Sequence, residues 1–326
     1  MQGLYLFYGE ETYLIEDAVK KVKKSFTELV EGINLIKIDE SNIGALLSNI
    51  ETPCFGYDKK LIIVKNSGIL KKEGKKKNTY LSNLADKVAE YINENIETIL
   101  MDNVIIFIEE DVEKNSLYKA IEANGQICNF APEKLPDLIK RVRAIANAYK
   151  VQISDGDCKY LIECCGTNLQ DIINEIRKLI EYVGGNGIIT KKEIDMLTTK
   201  QIDSVIFDLT DNLGKKNIKD AMDVFYNLVY QKEPVQKILV TLYNHFKKLY
   251  IVKAAVKNNE NITEALNLKP NQAFLVTKYK QQSGYFSEIE LRKILEELID
   301  LDYNYKIGLI DINVGIEAIL CRYCGK

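Results

Sequence analysis

The chain has 326 residues, with 46% apolar and 28% charged residues and a net charge of −3. This composition is typical of a globular protein of two or three domains and excludes a disordered chain. The small net charge gives no overall basic surface. Any contact with nucleic acid therefore has to be local or made through a partner.

The cysteines and the apolar runs indicate a cytoplasmic protein. The seven cysteines are scattered without a disulfide framework, and no signal peptide precedes them. The longest apolar runs, such as Val104–Ile108, are far shorter than the roughly 20 residues that a membrane span needs. We expect reduced thiols and no membrane segment.

The first part of the chain alternates between strands and helices. Five short apolar runs predict strands at Leu4–Tyr8, Leu35–Ile38, Leu61–Lys65, Val104–Ile108 and Gln126–Phe130. Amphipathic segments lie between them, at residues 14–22, Ile43–Ile50, Tyr80–Asn95 and Ser116–Asn124. This alternation predicts βαβ units with a mostly parallel sheet in a domain of residues 1–135.

Helices follow one another from Pro136 onward. A small helical domain is predicted at residues 136–203, with helices at Pro136–Tyr149, Asp155–Cys165, Leu169–Val183 and Lys191–Leu197, the last opened by Thr190 as N-cap. About five longer helices are expected in residues 204–326, broken at Gly214, near Pro234, at Asn258–Asn261, at Pro270 and at Gly284. The predicted order is an α/β domain, a small helical domain and a larger all-α domain.

The first turn, in LYLFYGEETYLI (residues 4–15), is built like a phosphate-binding loop, with a strand, Gly9 and then a helix. The residues that would hold the phosphates are missing. Counting G-x-x-x-x-G-K-[ST] from Gly9, the second glycine, the lysine and the hydroxyl are replaced by Leu14, Ile15 and Glu16.

Three carboxylates surround the same turn: Glu10, Glu11 and Glu16. A phosphate held about 4 Å from a carboxylate is repelled by about 4 kcal/mol at an effective dielectric constant near 20. Glu10 and Glu11 can equally be ordinary first-turn acids that the helix dipole stabilises. Both interpretations exclude ATP, and we expect neither a catalytic residue nor a cofactor.

A second acidic pair, Glu109 and Glu110, ends the apolar run VIIFIEED (residues 104–111) where a Walker B strand would end. Carboxylates at a strand end can hold Mg²⁺. Without a lysine-bearing loop the metal has no nucleotide to bridge, so the catalytic interpretation is disfavoured.

The loop ETPCFGYDKK (residues 51–60) is the better candidate site. Pro53 and Gly56 punctuate it, and it carries Phe55 and Tyr57 beside Cys54. An exposed aromatic group flanked by turn residues is typical of a binding hot spot. The pattern is equally consistent with Phe55 folding back into the core.

Three further features favour structural roles. The lysine-rich run KKEGKKK (Lys71–Lys77) could contact DNA phosphates, but like-charge runs are usually solvated loops. The pair Cys321 and Cys324 is only half a zinc site, and the single histidine, His245, lies far upstream. We therefore expect no metal, and no catalytic role for His245.

Several segments resemble the delta subunit of the bacterial DNA polymerase III clamp loader, a non-ATPase member of the AAA+ superfamily. The similarity covers essentially the whole chain in the family's order. It is carried by residues 4–15, CFGYDKKLIIVKN (54–66), GTNLQDIINEIRKL (166–179), SVIFDLTDNLGKKNIKDAMDVFYNLVYQKEPVQKIL (204–239), NHFKKLYIVK (244–253) and YFSEIELRKILEELIDLDYNYKIG (285–308).

This resemblance implies an AAA+-like domain at 1–135, a lid at 136–203 and a collar domain at 204–326 that assembles with the other loader subunits. The implied partners are the beta sliding clamp, the ATPase (gamma/tau) and delta-prime subunits and, through the complex, primer–template DNA. By position, the implied clamp-binding residues are Cys54 and Phe55, with Pro53 beside them. Cys54 departs from the family, where a larger apolar residue is usual.

The resemblance further implies that the chain opens the clamp without hydrolysing ATP itself. There are two alternatives. One is an ATP-hydrolysing AAA+ enzyme with an unusual site, which the incomplete phosphate loop disfavours. The other is the sister pseudo-ATPase of the same loader, which should carry a zinc-type cysteine cluster that this sequence lacks.

Overall fold

The structure is a computed structural model that describes residues 3–71 and 78–324. The chain divides into two compact units, the first ending at Pro132 and the second beginning at Glu133. The first unit is an α/β layer structure, and the second is built mainly of helices.

The first unit is organised around one parallel sheet. Its strands are β1 (Leu4–Tyr8), β2 (Leu35–Ile38), β3 (Lys60–Lys65), β4 (Asn103–Glu109) and β5 (Gln126–Asn129), in the order β2-β3-β4-β1-β5. Every pair in this sheet is parallel. The predicted parallel sheet is confirmed, and each of the five predicted strands is present with ends shifted by at most one residue.

Helices cover both faces of the sheet, which is why its central strands are apolar throughout. Tyr5 and Phe7 point to one face, where Ile15 and Val22 of α1 (Thr12–Lys23) pack against them. Leu4, Leu6, Ile62, Val64, Ile105 and Phe107 point to the other face. That face is covered by α2 (Leu46–Glu51), α3 (Thr79–Asp102) and α4 (Ser116–Asn124).

Helix α3 is longer than the sequence predicts. The predicted helix stops at Asn95, and Asn95 is indeed non-helical, with φ −124° and ψ 20°. Its side-chain amide donates a hydrogen bond to the carbonyl of Tyr91 at 3.1 Å. The chain resumes the helix because Ile99 beyond the kink is buried in the core, so tertiary packing overrides the local break.

The second unit begins with α5 (Leu135–Ala148), α6 (Asp155–Cys165), α7 (Leu169–Val183) and α8 (Lys191–Leu197). The predicted N-cap of α8 is confirmed, because Thr190 and Glu193 form a capping box there. A two-stranded parallel sheet of β6 (Gln152–Ile153) and β7 (Ile188–Ile189) was not predicted. Two-residue strands are too short to give a period-two pattern.

The remaining helices are α9 (Ile202–Gly214), α10 (Ile218–Tyr230), α11 (Val235–Lys257), α12 (Ile262–Ala265), α13 (Leu275–Gly284), α14 (Glu288–Lys306) and α15 (Ile312–Cys324). They surround one apolar core that includes Phe225, Leu242 and Leu298. The predicted breaks at Gly214, near Pro234, at Asn258–Asn261 and at Gly284 coincide with helix ends. Pro270 opens a short 3₁₀ turn.

The predicted fold class is confirmed, with a parallel-sheet α/β region followed by helical parts. The helices of the predicted lid and collar belong to the same compact unit. In that unit Lys278 of α13 bonds Glu163 of α6 at 2.7 Å. The three-part division at 1–135, 136–203 and 204–326 stays a prediction. Within the described residues, no helix has the length and apolar character needed to cross a membrane.

Candidate functional site

The turn after β1 uses its glycine for chain packing. Gly9 has φ +124°, and a Cβ placed there would lie 2.4 Å from the carbonyl oxygen of Phe130. A side chain at this position would therefore collide with the backbone at the end of β5. Gly9 is required by close approach of two backbone segments, one of the standard reasons for a glycine in a tight turn.

The backbone amides of this turn are already engaged. The amide of Gly9 donates to the carbonyl of Glu109 at 3.2 Å, and the amide of Glu11 donates to Phe130 at 3.0 Å. The amide of Thr12 donates to Glu10 at 3.0 Å. A phosphate-binding turn needs such N–H groups free and convergent on the anion. This turn instead ties β1 and α1 to the ends of β4 and β5.

Glu109 is buried, with 4% of its surface exposed, and its carboxylate is held by hydrogen bonds from the turn after β3. Its Oε1 accepts hydrogen bonds from the amide of Ser67 at 3.0 Å, the hydroxyl of Ser67 at 2.9 Å and the amide of Gly68 at 3.2 Å. Burial raises the pKa of Glu109, and these hydrogen bonds oppose the rise. Its neighbour Glu110 is exposed.

A cleft of about 840 Å³ lies at the carboxyl ends of the strands, against α1. Its charged lining is mixed, with the acids Glu10, Glu16, Asp39, Glu109 and Glu110 and the bases Lys20, Lys23, Lys37 and Lys65. In α/β folds this edge of the sheet is where ligands bind. The cleft keeps that position, while the turn that would cradle a phosphate is closed.

The loop between α2 and β3 presents Phe55 to solvent. Phe55 is 91% exposed, the most exposed large apolar side chain among the described residues. Pro53 is exposed as well, and Cys54 and Tyr57 are half-buried. Gly56 has φ +77°, a left-handed conformation that turns the chain directly after Phe55. The structure therefore places Phe55 outside the core.

Side chains from the sheet hold the base of this loop. Lys60, 4% exposed, donates from Nζ to the carbonyls of Asn49 at 2.5 Å and Thr52 at 2.6 Å. Asn103 of β4 donates from Nδ2 to the carbonyl of Ile50 at 3.3 Å. These carbonyls end α2 and have no partner within the helix. Burial lowers the pKa of Lys60 below that of a free lysine.

Sequence reasoning missed Lys60. Its only signal is that a lysine opens a strand whose next four residues are all buried, which places the Lys60 side chain at the edge of the core. The adjacent Lys59 looks identical in the sequence but bonds elsewhere, to the carbonyl of Leu100 at 2.7 Å.

The other candidates lie apart from this loop. Lys71 is exposed, and the remainder of the predicted lysine-rich run, residues 72–77, lies outside the described residues. His245 is buried in the helical unit against Phe207 and Tyr279. Cys324 is buried in the same core, while Cys321 is exposed.

A five-stranded parallel sheet with helices on both faces, followed by a mainly helical unit, is the layout of an AAA+-like scaffold. Two family models match the chain: the DNA polymerase III delta subunit over residues 5–131, and the C-terminal domain of that subunit over residues 203–323. Together they take in well over half of the chain. The chain belongs to the DNA polymerase III delta subunit family, as its sequence resemblance predicts.

Individual proteins agree with this assignment. The chain is 24% identical to the DNA polymerase III subunit delta of Bacillus subtilis, over 98% of this chain and 92% of that one. It is 26% identical to a probable DNA polymerase III subunit delta of Aquifex aeolicus, over 95% and 88% of the two chains. The solved structure of the Bacillus subtilis DNA clamp loader delta protein YqeN has the same fold, with a TM-score of 0.76 at 24% identity over 99% and 96% of the two chains.

Proposed function

We propose that this chain is the clamp-loader subunit that binds and opens the beta sliding clamp without hydrolysing ATP itself. One observation carries the proposal. Phe55 is 91% exposed at the tip of a loop whose base is fixed to the sheet. An exposed aromatic side chain at the tip of a loop, flanked by turn residues, has the form of an interface hot spot. Membership of the delta subunit family supports a clamp as the partner.

The loop has the chemistry of an interface anchor. Phe55 can bury a large apolar area in a pocket of the clamp at a low cost in side-chain entropy. Pro53 limits the conformations of the free loop, so less entropy is lost on binding. Cys54 adds a smaller apolar contact. Opening would follow if the bound loop favours the open ring over the closed ring, because a ligand shifts an equilibrium only by its differential affinity.

The first turn supports the absence of ATP hydrolysis. The backbone amides of Gly9, Glu11 and Thr12 already donate hydrogen bonds to carbonyls of the chain, so they cannot bind a triphosphate without rearrangement. Ile15 replaces the phosphate-binding lysine and is buried in the core. Glu109, the residue best placed to hold a metal, is engaged by Ser67 and Gly68. We therefore assign hydrolysis to other subunits of the loader.

The C-terminal helices support assembly with those subunits. Exposed large apolar side chains concentrate where α14 ends and α15 begins: Ile299, Tyr303, Ile307, Leu309, Ile310 and Val314. A surface of this kind is suited to packing against the helical domains of the ATPase (gamma/tau) and delta-prime subunits. The assembled complex, in this proposal, contacts primer–template DNA.

The test is direct binding of the purified chain to an immobilised beta clamp from the same organism, measured by surface plasmon resonance. We expect saturable binding that does not require ATP and that free clamp in solution competes away. No saturable binding at micromolar concentrations of the folded chain would contradict the proposal.

A nucleotide enzyme is the second candidate, because the cleft of about 840 Å³ carries four lysines. Thermal denaturation of the chain with and without ATP and Mg²⁺ tests it. A ligand at 100 times its Kd stabilises a protein by about 2.7 kcal/mol, which is a readily measured shift of the melting temperature. We expect no shift at millimolar ATP. A clear shift together with ATP turnover would favour the enzyme.

A further inference from the structure

The side chain of Lys60 joins the two ends of the loop that carries Phe55. Lys60 is the first residue of β3, where it pairs with Asn103 in the sheet register. It therefore marks the C-terminal end of the loop. Its Nζ reaches back to the carbonyl of Thr52, at the N-terminal end of the same loop, at 2.6 Å. A second bond, from Nζ to the carbonyl of Asn49 at 2.5 Å, connects Lys60 to the last turn of α2.

These bonds satisfy carbonyls that have no N–H partner within α2. The last four carbonyls of a helix are left in this state, so a side chain or water has to hydrogen-bond to them. The hydroxyl of Thr52 donates to the carbonyl of Ser48 at 2.6 Å, so the end of α2 is held from its exposed side as well. The base of the loop is thus ordered, and the tip at Pro53, Phe55 and Gly56 is left exposed.

We propose that Lys60 is a positioning residue for the clamp-binding tip: its ammonium group joins the two ends of the loop and so presents Phe55 in a defined orientation before the partner arrives. The inference rests on the proposed function of Phe55. Fixing the backbone of a residue costs about 1–2 kcal/mol in entropy, and a loop that is already ordered avoids that cost on binding.

The neighbouring lysine provides a matched control. Lys59 is half-buried and donates from Nζ to Leu100, near the end of α3, at 2.7 Å. It has the same side chain, one residue earlier in the chain, yet neither end of α2 nor Thr52 is among its hydrogen-bond partners. Lys59→Met and Lys60→Met therefore remove equal charge and equal hydrogen-bonding capacity from adjacent positions. Only Lys60→Met removes a bond that joins the two ends of the loop.

The first measurement needs no clamp. The chain contains no tryptophan, so Phe55→Trp introduces one tryptophan at the tip, which is excited selectively at a wavelength where the 19 tyrosines barely absorb. We expect Lys60→Met to lower the steady-state anisotropy of Trp at position 55, and Lys59→Met to leave it unchanged. An unchanged anisotropy in folded Lys60→Met overturns the inference, whether or not the chain binds a clamp.

The second measurement is a double-mutant cycle on clamp affinity, made with the beta clamp. We expect Lys60→Met to weaken binding about 5- to 30-fold, the equivalent of ordering one residue. In a Phe55→Ala background the same change should have little further effect, because its influence passes through Phe55. An equal loss in both backgrounds would show that Lys60 supports the fold generally, and would overturn the positioning role.

A measurement on the unmodified protein covers the case in which Lys60→Met does not fold. A buried ammonium group with carbonyl partners exchanges its protons slowly with water. We expect a protected ammonium signal from Lys60 in the ¹H–¹⁵N spectrum, assigned through its contacts with Thr52 and Asn49. This assignment separates it from Lys253, whose Nζ also donates to two backbone carbonyls. Absence of a protected ammonium signal assigned to Lys60 at low temperature and neutral pH would overturn the inference. Failure of the wild type to bind the clamp, with this signal present, would contradict only the proposed function.

Discussion

Glu109 holds the amide and the hydroxyl of Ser67 on a single carboxylate oxygen, at 3.0 and 2.9 Å. Glu109 is the last residue of β4, and Ser67 lies in the turn after the neighbouring parallel strand β3, at the edge of the sheet where an α/β protein places its ligands. A carboxylate in this position could orient a metal or a water molecule. Here it fixes the turn that follows β3, so the edge of the sheet has a structural use.

Replacing Glu109 tests that use. Glu109→Ala leaves the amides of Ser67 and Gly68 without their acceptor in a buried turn, and we expect a loss of roughly 2–4 kcal/mol in unfolding free energy. Glu109→Gln keeps the acceptor oxygen and removes a buried charge, so it should cost far less. Urea denaturation measures both.

Glu110→Ala is the control, because Glu110 is the exposed neighbour in the sequence, and it should change stability by less than about 0.5 kcal/mol. Equal effects of Glu109→Ala and Glu110→Ala would contradict the structural role. Loss of an ATPase activity in Glu109→Gln at full stability would instead point to catalysis.

His245 makes stability depend on pH. Its Nε2 lies 2.9 Å from Oε1 of Gln282, whose amide nitrogen donates to the carbonyl of Phe207 at 2.9 Å. The amide of Gln282 is thereby oriented, and His245 donates from Nε2 as the neutral ring. Burial lowers the pKa of His245 to about 4, against 6.5 for a free histidine.

The sign of the effect follows from proton binding. Between pH 6.5 and 4 the unfolded chain binds a proton at His245 that the folded chain does not, so stability falls as the pH falls through this window. The full loss is about 3 kcal/mol. We expect His245→Gln to remove this slope between pH 6.5 and 5, where few carboxylates titrate. Urea denaturation at several pH values measures it. An unchanged slope in His245→Gln would contradict the prediction.

The two compact units predict which fragments fold. A fragment ending at Pro132 keeps the sheet, its helices and the Phe55 loop, so we expect it to unfold cooperatively and to bind the clamp like the full chain. It should not assemble with the ATPase subunits, because the helical unit is absent. Size-exclusion co-elution measures both.

A fragment ending at residue 203 is the informative comparison. It follows the predicted three-part division, but it cuts the bonds from Lys278 to Glu163 and from Asn271 to Thr167. It also uncovers the face of α6 that packs on α9. We expect it to be less stable than the shorter fragment. A fragment 1–203 that is as stable as fragment 1–132 would show that the lid folds independently of the helices after it.

The sequence predicts regular elements well where packing and periodicity agree. The central strands β1, β3 and β4 are mainly apolar because both faces of the sheet are covered, and this pattern is local and strong. Prediction from sequence fails where a long-range contact determines the end of an element. The burial of Ile99 in the core extends α3 beyond Asn95.

The candidate site shows the same limit. Pro53, Cys54 and Phe55 can be placed on a loop from composition alone, but whether Phe55 faces water or core depends on the fold around it. The sequence does not tell which carbonyls Lys59 and Lys60 contact. The carbonyl of Leu100 lies near the end of α3 and that of Thr52 lies just after α2, and only the fold brings each one to its lysine. The use of the Gly9 turn likewise depends on Phe130, far along the chain.

Phe55→Ala separates an interface residue from a core residue. At 91% exposure its removal should change the unfolding free energy by less than about 0.5 kcal/mol. As an interface hot spot it should cost roughly 2 kcal/mol or more of clamp binding, which is at least about 25-fold in affinity. Phe107→Ala, at a fully buried phenylalanine in the same unit, should cost about 3–5 kcal/mol of stability and validates the denaturation assay.

Substitutions at Cys54, next to Phe55, test how clamp binding depends on the apolar area of the loop. Cys54→Ala should weaken clamp binding less than Phe55→Ala, because a thiol buries less apolar area than a phenyl ring. Cys54→Leu should tighten binding, because it enlarges the apolar surface beside Phe55. Lys71→Ala, at an exposed lysine outside the loop, should alter only the salt dependence of binding. A Phe55→Ala variant that unfolds, or one that is folded and binds the clamp with wild-type affinity, would remove Phe55 from the site.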